Sequence, residues 1–268
     1  ARSGLPAYAQ HPLLHTVGID RTFYAPISEA DFARYAAQVP DNFRFLVKAP
    51  MAITSSYLRS DQGEFTDSPY FLDVEYAIRE FIEPCLRGLG SKAGPLVFQF
   101  PPQGHHVTRD PDRFINRLYR FLKALPRDAA PLYAVEIRDP ALMTHRFFMC
   151  LKTTGTHYCL ASHARMPDPQ TQLDAMRQVI DEGPFIARWS LHSTYKYEDA
   201  KARYYPFNRL VDEDPAARHC LALACQQAIA KGYPCFVIVN NKAEGSAPLS
   251  IQKLAAAIEA SLQPSTTP

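Results

Sequence analysis

Short apolar runs that stop at a proline dominate the hydrophobic pattern of the chain. Three such runs occupy residues 43–50, 95–102 and 132–140. An apolar run of about five residues is typical of a buried strand, and proline marks its end because it cannot continue a central ladder. The polar residues just before these stops are therefore expected at the carboxyl ends of strands, where α/β proteins build their sites. These residues are Lys48, Gln99, Glu136 and Arg138.

Further runs extend this pattern into an alternation of strands and helices, which indicates βαβ units and a parallel sheet. The predicted strands lie near residues 15–20, 43–48, 95–100, 132–138, 156–161, 185–191 and 234–240. The predicted helices span residues 1–14, 28–39, 70–89, 110–125, 143–154, 169–182, 214–231 and 248–262.

The connections of this pattern are unequal in length. Those from helix to strand are short, whereas those from strand to helix are long, notably at 49–69 and 191–213. This asymmetry predicts an α/β fold of the TIM-type (β/α)8 barrel class, as a single domain over residues 1–268 with a frayed tail at 262–268. Seven strands are visible, so a closed barrel would need one more upstream. An open doubly wound sheet is the alternative, although no G-x-G-x-x-G motif supports it.

Composition narrows the class of protein only moderately. The 268 residues are 47% hydrophobic and 21% charged, and the net charge of +2 argues against a general polyanion binder. The six cysteines form no C-x-x-C pair, and no apolar stretch approaches 18 residues. We therefore expect a cytoplasmic protein that does not engage a membrane. The sequence carries no signal for oligomeric state.

Five segments in order resemble the domain of unknown function 72 family, also called YecE-like. They are residues 8–24, 43–50 (FRFLVKAP), 98–102 (FQFPP), 133–140 (YAVEIRDP) and 239–241 (VNN). The resemblance implies a TIM-type barrel and a site location, but no reaction. Family members usually begin with a Gly-Thr-Ser-x-Trp strand that is absent here and would be the eighth. Many also have Asp where this chain has Lys242.

Side-chain alternation along the strands predicts which residues point into the same end of the barrel, the mouth formed by the carboxyl ends of the strands. Glu136 and Arg138 have the same parity, and Lys48, Gln99 and Arg188 take equivalent places on their strands. The remaining candidates lie at or just beyond strand ends. They are Asp20, Tyr24, His192, Asn240 and Asn241.

Cations in excess around one carboxylate suit a small anionic ligand, such as a phosphate or carboxylate. The leading hypothesis is therefore an enzyme acting on an anionic, sugar-like metabolite, with Glu136 and Lys48 as catalytic residues and the others as ligand-binding residues. Two alternatives keep the same residues: a buried ion-pair network without a ligand, and a binding module without turnover. No metal site and no cofactor are expected, because Lys and Arg take the places that metal ligands would need.

The segment 195–209 mixes basic and aromatic residues. This interleaving can bind a nucleic-acid backbone and stack on bases, so a nucleic-acid-binding barrel is a further alternative. Loops in this position of TIM barrels also hold phosphate. The plainer interpretation is a lid whose aromatics pack on the barrel rim, with acidic neighbours such as Glu198 and Asp199 diluting its charge.

Overall fold

A computed structural model describes residues 4–59, 63–192 and 194–262. Its strands are β1 (Thr16–Ile19), β2 (Arg44–Lys48), β3 (Tyr57–Arg59), β4 (Phe65–Asp67), β5 (Ala93–Phe100), β6 (Tyr133–Ile137), β7 (His157–Ser162), β8 (Phe185–Trp189) and β9 (Cys235–Val239). Its α-helices are α1 (Gly4–Tyr8), α2 (Glu29–Ala36), α3 (Met51–Thr54), α4 (Val74–Ala77), α5 (Glu83–Leu89), α6 (His105–Thr108), α7 (Pro111–Ala124), α8 (His145–Thr153), α9 (Pro169–Arg177), α10 (Tyr197–Tyr204), α11 (Pro215–Ala230) and α12 (Ala247–Leu262). A π-helical turn, Ile78–Ile82, joins α4 to α5.

The chain divides into two compact units, residues 1–158 and 159–268. The boundary falls inside β7, between Tyr158 and Cys159. The assignment of residues 1–268 to a single domain stays a prediction.

In the first unit, β1, β2, β5, β6 and the start of β7 pair in parallel and in chain order. Every residue of β6 is buried, as expected of a parallel sheet covered on both faces. The apolar faces carry aromatic residues that pack edge to face. The Phe98 ring lies 5.2 Å from that of Phe121 and 5.9 Å from that of Phe81, which fixes α7 and the π-helical turn against β5.

In the second unit, residues 159–162 of β7 pair with β8, and β8 pairs with β9, again in parallel. Two long helices, α11 and α12, follow β8 and β9. Small residues line the buried face of α11, where Ala217, Ala224 and Ala228 are all buried.

The predicted fold class is confirmed. Seven parallel strands pair in chain order with helices between them, which is the TIM-type topology, and each predicted strand overlaps an observed one. Local signals also hold: Ser28 begins α2 by accepting a hydrogen bond from the Asp31 N–H at 3.1 Å.

Three local predictions were wrong. Among the described residues of the helix predicted over 1–14, the helix ends at Tyr8, and Pro12 explains the early end because it disfavours helical backbone before it. The stretch 49–69, predicted as a loop, contains the antiparallel hairpin β3–β4. The segment 195–209 contains α10. The predicted frayed tail after residue 262 lies outside the described residues.

Within the described ranges, none of the helices combines the length and apolar character needed to cross a bilayer.

Candidate functional site

Four of the predicted polar residues share one face of the sheet in the first unit. Lys48 pairs with Val97 on the neighbouring strand, and Gln99 pairs with Glu136. Paired residues of parallel strands project to the same face, and so do residues two apart on one strand. Lys48, Gln99, Glu136 and Arg138 therefore lie together at the carboxyl ends of β2, β5 and β6, as the alternation predicted.

These four residues are buried. Their exposed fractions are 8% for Lys48, 6% for Gln99, 0% for Glu136 and 8% for Arg138. The Glu136 carboxylate forms an ion pair with Nη2 of Arg138. Nη1 of Arg138 is also buried, yet it has no hydrogen-bond partner within the part of the chain that the structure describes. A buried donor left in this state is costly, so it needs an explanation.

Lys48 is held over an aromatic ring. Its Nζ lies 3.4 Å from the centroid of Phe23, a cation–π contact. Phe23 belongs to a short 3-10 helix, Arg21–Phe23, that follows β1. The Thr22 hydroxyl ties this helix to the sheet, because it lies 2.5 Å from the carbonyl oxygen of Lys48 and 3.1 Å from that of Ile19. Neither Thr22 nor Phe23 was among the residues predicted from the sequence.

The two other first-unit candidates, Asp20 and Tyr24, lie at the surface beside this edge. Ile19, the last residue of β1, pairs with Val47 of β2. The next residue of each strand is Asp20 on one side and Lys48 on the other, so Asp20 lies at the same height along the sheet as Lys48. Asp20 is exposed, and Tyr24 is 82% exposed with its ring set edge-on to Phe23 at 5.5 Å. Both can meet a ligand that approaches from solvent.

Gln103 joins three loops around the same edge and was also missed. Its side chain is buried. Oε1 accepts the Ser56 N–H at 3.0 Å, and Nε2 donates to the backbone oxygen of Thr54 at 2.9 Å. Its own N–H donates to the Asp139 carboxylate at 2.7 Å. Gln103 thus fixes the loops that follow β2, β5 and β6 relative to one another. Its position after the double proline that ends β5 was the only available signal.

Chemically, the buried side chains of this edge offer two cations, one carboxylate and one amide, and the Asp20 carboxylate is exposed beside them. Arginine presents a planar fork of N–H donors that matches phosphate and carboxylate oxygens, and lysine adds a point charge. A buried carboxylate can exchange a proton with a bound molecule when its environment shifts its ionisation.

The other predicted residues belong to the second unit. Arg188 is 8% exposed on β8, in register with Ile238 of β9. Asn240 and Asn241 follow β9, and the side-chain oxygen of each accepts a hydrogen bond from the backbone. Asn240 accepts the Lys242 N–H at 3.0 Å, and Asn241 accepts the Ala247 N–H at 2.8 Å. These bonds favour a structural role for the pair, and their role in ligand binding stays a prediction.

His192 lies where the segment 195–209 begins. Its N–H donates to the Lys242 oxygen at 3.0 Å, its Nδ1 accepts the Thr194 N–H at 3.3 Å, and its ring lies 5.4 Å from that of Tyr195. These contacts anchor the loop, as expected of a structural histidine.

The segment 195–209 uses most of its aromatic residues internally. Tyr195, Tyr204 and Phe207 pack with Leu191 and Ala200 in a small apolar cluster. Two of its basic residues are also engaged. Lys201 forms an ion pair with Glu198 at 3.7 Å. Arg203 forms two hydrogen bonds to Asp212, and this guanidinium lowers the pKa of the Asp212 carboxyl. This internal packing favours the interpretation of the segment as a lid with a small apolar core of its own.

No group of three His, Cys, Asp or Glu side chains suited to a metal ion occurs among the residues that the structure describes.

The fold and this edge define a class: an α/β protein with TIM-type strand order and charged residues at the carboxyl ends of its strands. The whole chain, residues 1–268, matches the family model described as "Protein of unknown function DUF72". The chain therefore belongs to the DUF72 family.

Solved structures of other DUF72 family proteins share the fold. A crystal structure of EF0366 from Enterococcus faecalis V583 is 19% identical, with a TM-score of 0.66 over 96% of this chain and 94% of that one. TM1631 from Thermotoga maritima MSB8 is 18% identical, with a TM-score of 0.59 over 97% and 90%. Among curated proteins, no relative matches the chain.

Proposed function

We propose that the edge formed by Lys48, Gln99, Glu136 and Arg138 binds a small anionic ligand and that the protein is an enzyme acting on it. The observation that carries this proposal is the buried Nη1 of Arg138, which has no partner among the described residues. An anionic oxygen at this atom would supply the missing hydrogen bond.

The buried donors at this edge favour a ligand over a self-contained ion-pair network. Lys48, Arg138 and Glu136 are nearly inaccessible to water, and the pairing of Glu136 with Arg138 leaves Nη1 of the guanidinium without a hydrogen-bond partner in the described structure. A buried polar group costs free energy unless it is hydrogen-bonded. A phosphate or carboxylate oxygen would accept that bond, with the Gln99 amide as a neutral donor beside it.

Glu136 is the group that we assign to proton transfer. Its ion pair with Arg138 fixes the position of the carboxylate, and its complete burial keeps bulk water from competing for the proton. Lys48 would stabilise negative charge that develops on the ligand. The exposed ring of Tyr24 offers an apolar face to the remainder of a sugar-like metabolite.

A thermal-shift screen tests anion binding. Phosphate, sugar phosphates and sugar acids are added to the wild type, to Arg138→Met and to the control Arg87→Met, which removes an exposed arginine of the same unit. A ligand at a hundred times its dissociation constant stabilises by about 2.7 kcal/mol, which raises the midpoint by about 5 °C or more. We expect the shift in the wild type and the control, and its loss in Arg138→Met. An unchanged shift in Arg138→Met would contradict the proposed binding site.

Glu136→Gln separates catalysis from binding. With the ligand that the screen identifies, we expect the variant to keep its thermal shift and to lose turnover by about 100-fold or more, the usual contribution of a general acid or base. If the wild type binds the ligand tightly and forms no product, the site is a binding module and the enzyme proposal is wrong.

A further inference from the structure

The outer face of α7 is rich in basic residues. The inner face of this helix packs five apolar side chains into the core: Phe114, Ile115, Leu118, Phe121 and Leu122. On the opposite side, Arg113, Arg117, Arg120 and Lys123 are all exposed. Their spacings of four, three and three residues put them along one face at 3.6 residues per turn. We call these four residues the basic face of α7.

Acidic residues are confined to the N-terminal end of this face. From residue 113 to residue 127 the sequence contains no Asp or Glu. Asp110 caps the helix by accepting the Arg113 N–H at 3.2 Å. Asp112 is paired with Arg146 of α8 at 3.2 Å, so a fifth cation offsets its charge.

The fold makes little use of these cations. In the described part of the chain, no carboxylate oxygen lies within ion-pair distance of any of the four. Arg117 lies over the Phe71 ring at 4.9 Å, and Lys123 lies 5.6 Å from the ring of Tyr119. Arg127, just beyond the helix, shows the contrast, because its Nη2 donates to the Thr154 oxygen at 2.7 Å and holds a loop.

The charge of this face is local. Its four cations, with the Arg146–Asp112 pair contributing nothing, amount to +4, whereas the whole chain carries a net +2. The rest of the chain is therefore slightly acidic. A concentration of charge of this kind creates an attractive field for anions even in a nearly neutral protein.

We propose that the basic face of α7 binds the phosphate backbone of a nucleic acid without reading its sequence. From Arg113 to Lys123 the helix rises about 15 Å, and phosphates of one strand follow each other at about 3.4 Å along a duplex axis. The basic face of α7 can thus contact about four phosphates of one strand. Three of its members are arginines, whose forks bind phosphate oxygens in pairs.

Other anionic partners fit this face less well. Amphipathic helices that lie on membranes insert an apolar face, but the apolar side chains of α7 are all in the core. Stable protein interfaces are centred on buried aromatic or aliphatic anchors, and the basic face of α7, with the exposed Asn116 beside it, presents no such anchor. Its four residues differ from those assigned to the edge around Arg138 and from those of the segment 195–209.

Fluorescence anisotropy with a labelled duplex, repeated over a series of salt concentrations, tests the proposal. The variant is the double reversal Arg113→Glu and Arg120→Glu. The control, Arg34→Glu with Arg87→Glu, changes the net charge equally at exposed arginines of α2 and α5. With about four phosphate contacts, the wild type should show a log–log salt slope of about −3.6.

We expect the double reversal to weaken binding at least tenfold and to reduce the slope by about 2. The control should stay within about threefold of the wild type, and both variants should keep the wild-type melting temperature because the changed side chains are exposed. Absence of binding by the wild type, equal losses in the variant and the control, or binding to phosphatidylserine vesicles in place of the duplex would each overturn the proposal.

Discussion

Each unit of the molecule contains a fully buried glutamate paired with an arginine, and the two pairs use their remaining bonds differently. In the first unit, Glu136 and Arg138 face the carboxyl ends of the strands, and Arg138 keeps an unsatisfied Nη1 within the described structure. In the second unit, Oε1 of Glu244 accepts both the Arg218 Nη2–H at 2.5 Å and the Asp214 N–H at 2.7 Å. Oε2 of Glu244 and Nε of Arg218 are also buried and have no hydrogen-bond partner within the described structure.

The second pair holds loops together. The backbone oxygen of Glu244 accepts the N–H groups of Val211 at 2.8 Å and Asp212 at 3.4 Å. Arg218 also pairs with Glu213, which in turn binds Lys253, so carboxylates and cations are balanced in number there. The comparison teaches that burial of an ion pair does not by itself mark a site. The first pair is distinguished by its place at the carboxyl ends of the strands, where α/β proteins build their sites.

The largest effect on stability is expected for Glu244→Ala. The variant leaves Arg218 and the Asp214 N–H without their buried acceptor, so the free energy of unfolding should fall by about 3–5 kcal/mol. Urea denaturation measures the loss. Glu136→Ala is the matched comparison, and we expect sulfate to restore part of its stability, since an anion can replace the carboxylate beside Arg138. If sulfate restored the stability of Glu244→Ala and Glu136→Ala equally, the proposed difference between the two ion pairs would be contradicted.

Gln103→Ala should have the next largest effect. The substitution removes the side-chain acceptor for the Ser56 N–H and the donor to the Thr54 oxygen, both in buried surroundings. We expect a loss of about 1–3 kcal/mol in the free energy of unfolding together with weaker anion binding, because the loops around the first-unit edge lose their common anchor. Unchanged anion affinity alongside the stability loss would show that Gln103 has no part in shaping the site.

Gly245→Ala tests the loop anchor of the second unit. Gly245 has φ of +116°, and an added Cβ would lie 2.6 Å from the Arg209 oxygen. We expect a loss of about 1–3 kcal/mol from the strained backbone and faster amide exchange at Val211. Anion binding at the first-unit edge should stay at the wild-type level. Slow exchange at Val211 in the variant would contradict the role given to Glu244 and Gly245.

The smallest expected effect is on the pH dependence of the free energy of unfolding. Burial, and then the nearby charge of Arg127, lower the pKa of His157 below its usual value. Because the unfolded chain binds this proton more readily, His157 contributes stability that is present above its unfolded pKa of about 6.5 and is lost as pH falls through that value toward the folded pKa. His157→Gln should flatten the stability profile between pH 7.5 and 5, with the exposed His15→Gln as control. A profile that stays as steep as that of the wild type would exclude this cause.

The sequence predicts the strands and the first-unit edge because both follow from local patterns. Five-residue apolar runs ended by proline mark β2, β5 and β6. Alternation with a period of two puts Glu136 and Arg138 on one face, and parallel pairing brings Gln99 beside them.

Contacts between distant parts of the chain could not be predicted in this way. Gln103 and Ser56 are 47 positions apart, and no periodicity connects them. The hairpin β3–β4 has three-residue strands, and β4 is wholly exposed, so it carries no hydrophobic alternation. In 195–209, the aromatic residues suggested stacking on bases, but three of them form a local core that only the folded loop assembles.

The most direct test of the central claim is anomalous diffraction from crystals of the wild type and of Arg138→Met soaked in tungstate, a heavy analogue of phosphate. We predict a tungsten peak within hydrogen-bonding reach of Nη1 of Arg138 in the wild type, displaced by phosphate and absent from the variant. A peak that persists in Arg138→Met, or a wild-type crystal with tungsten only at other places, would contradict the proposed anion site.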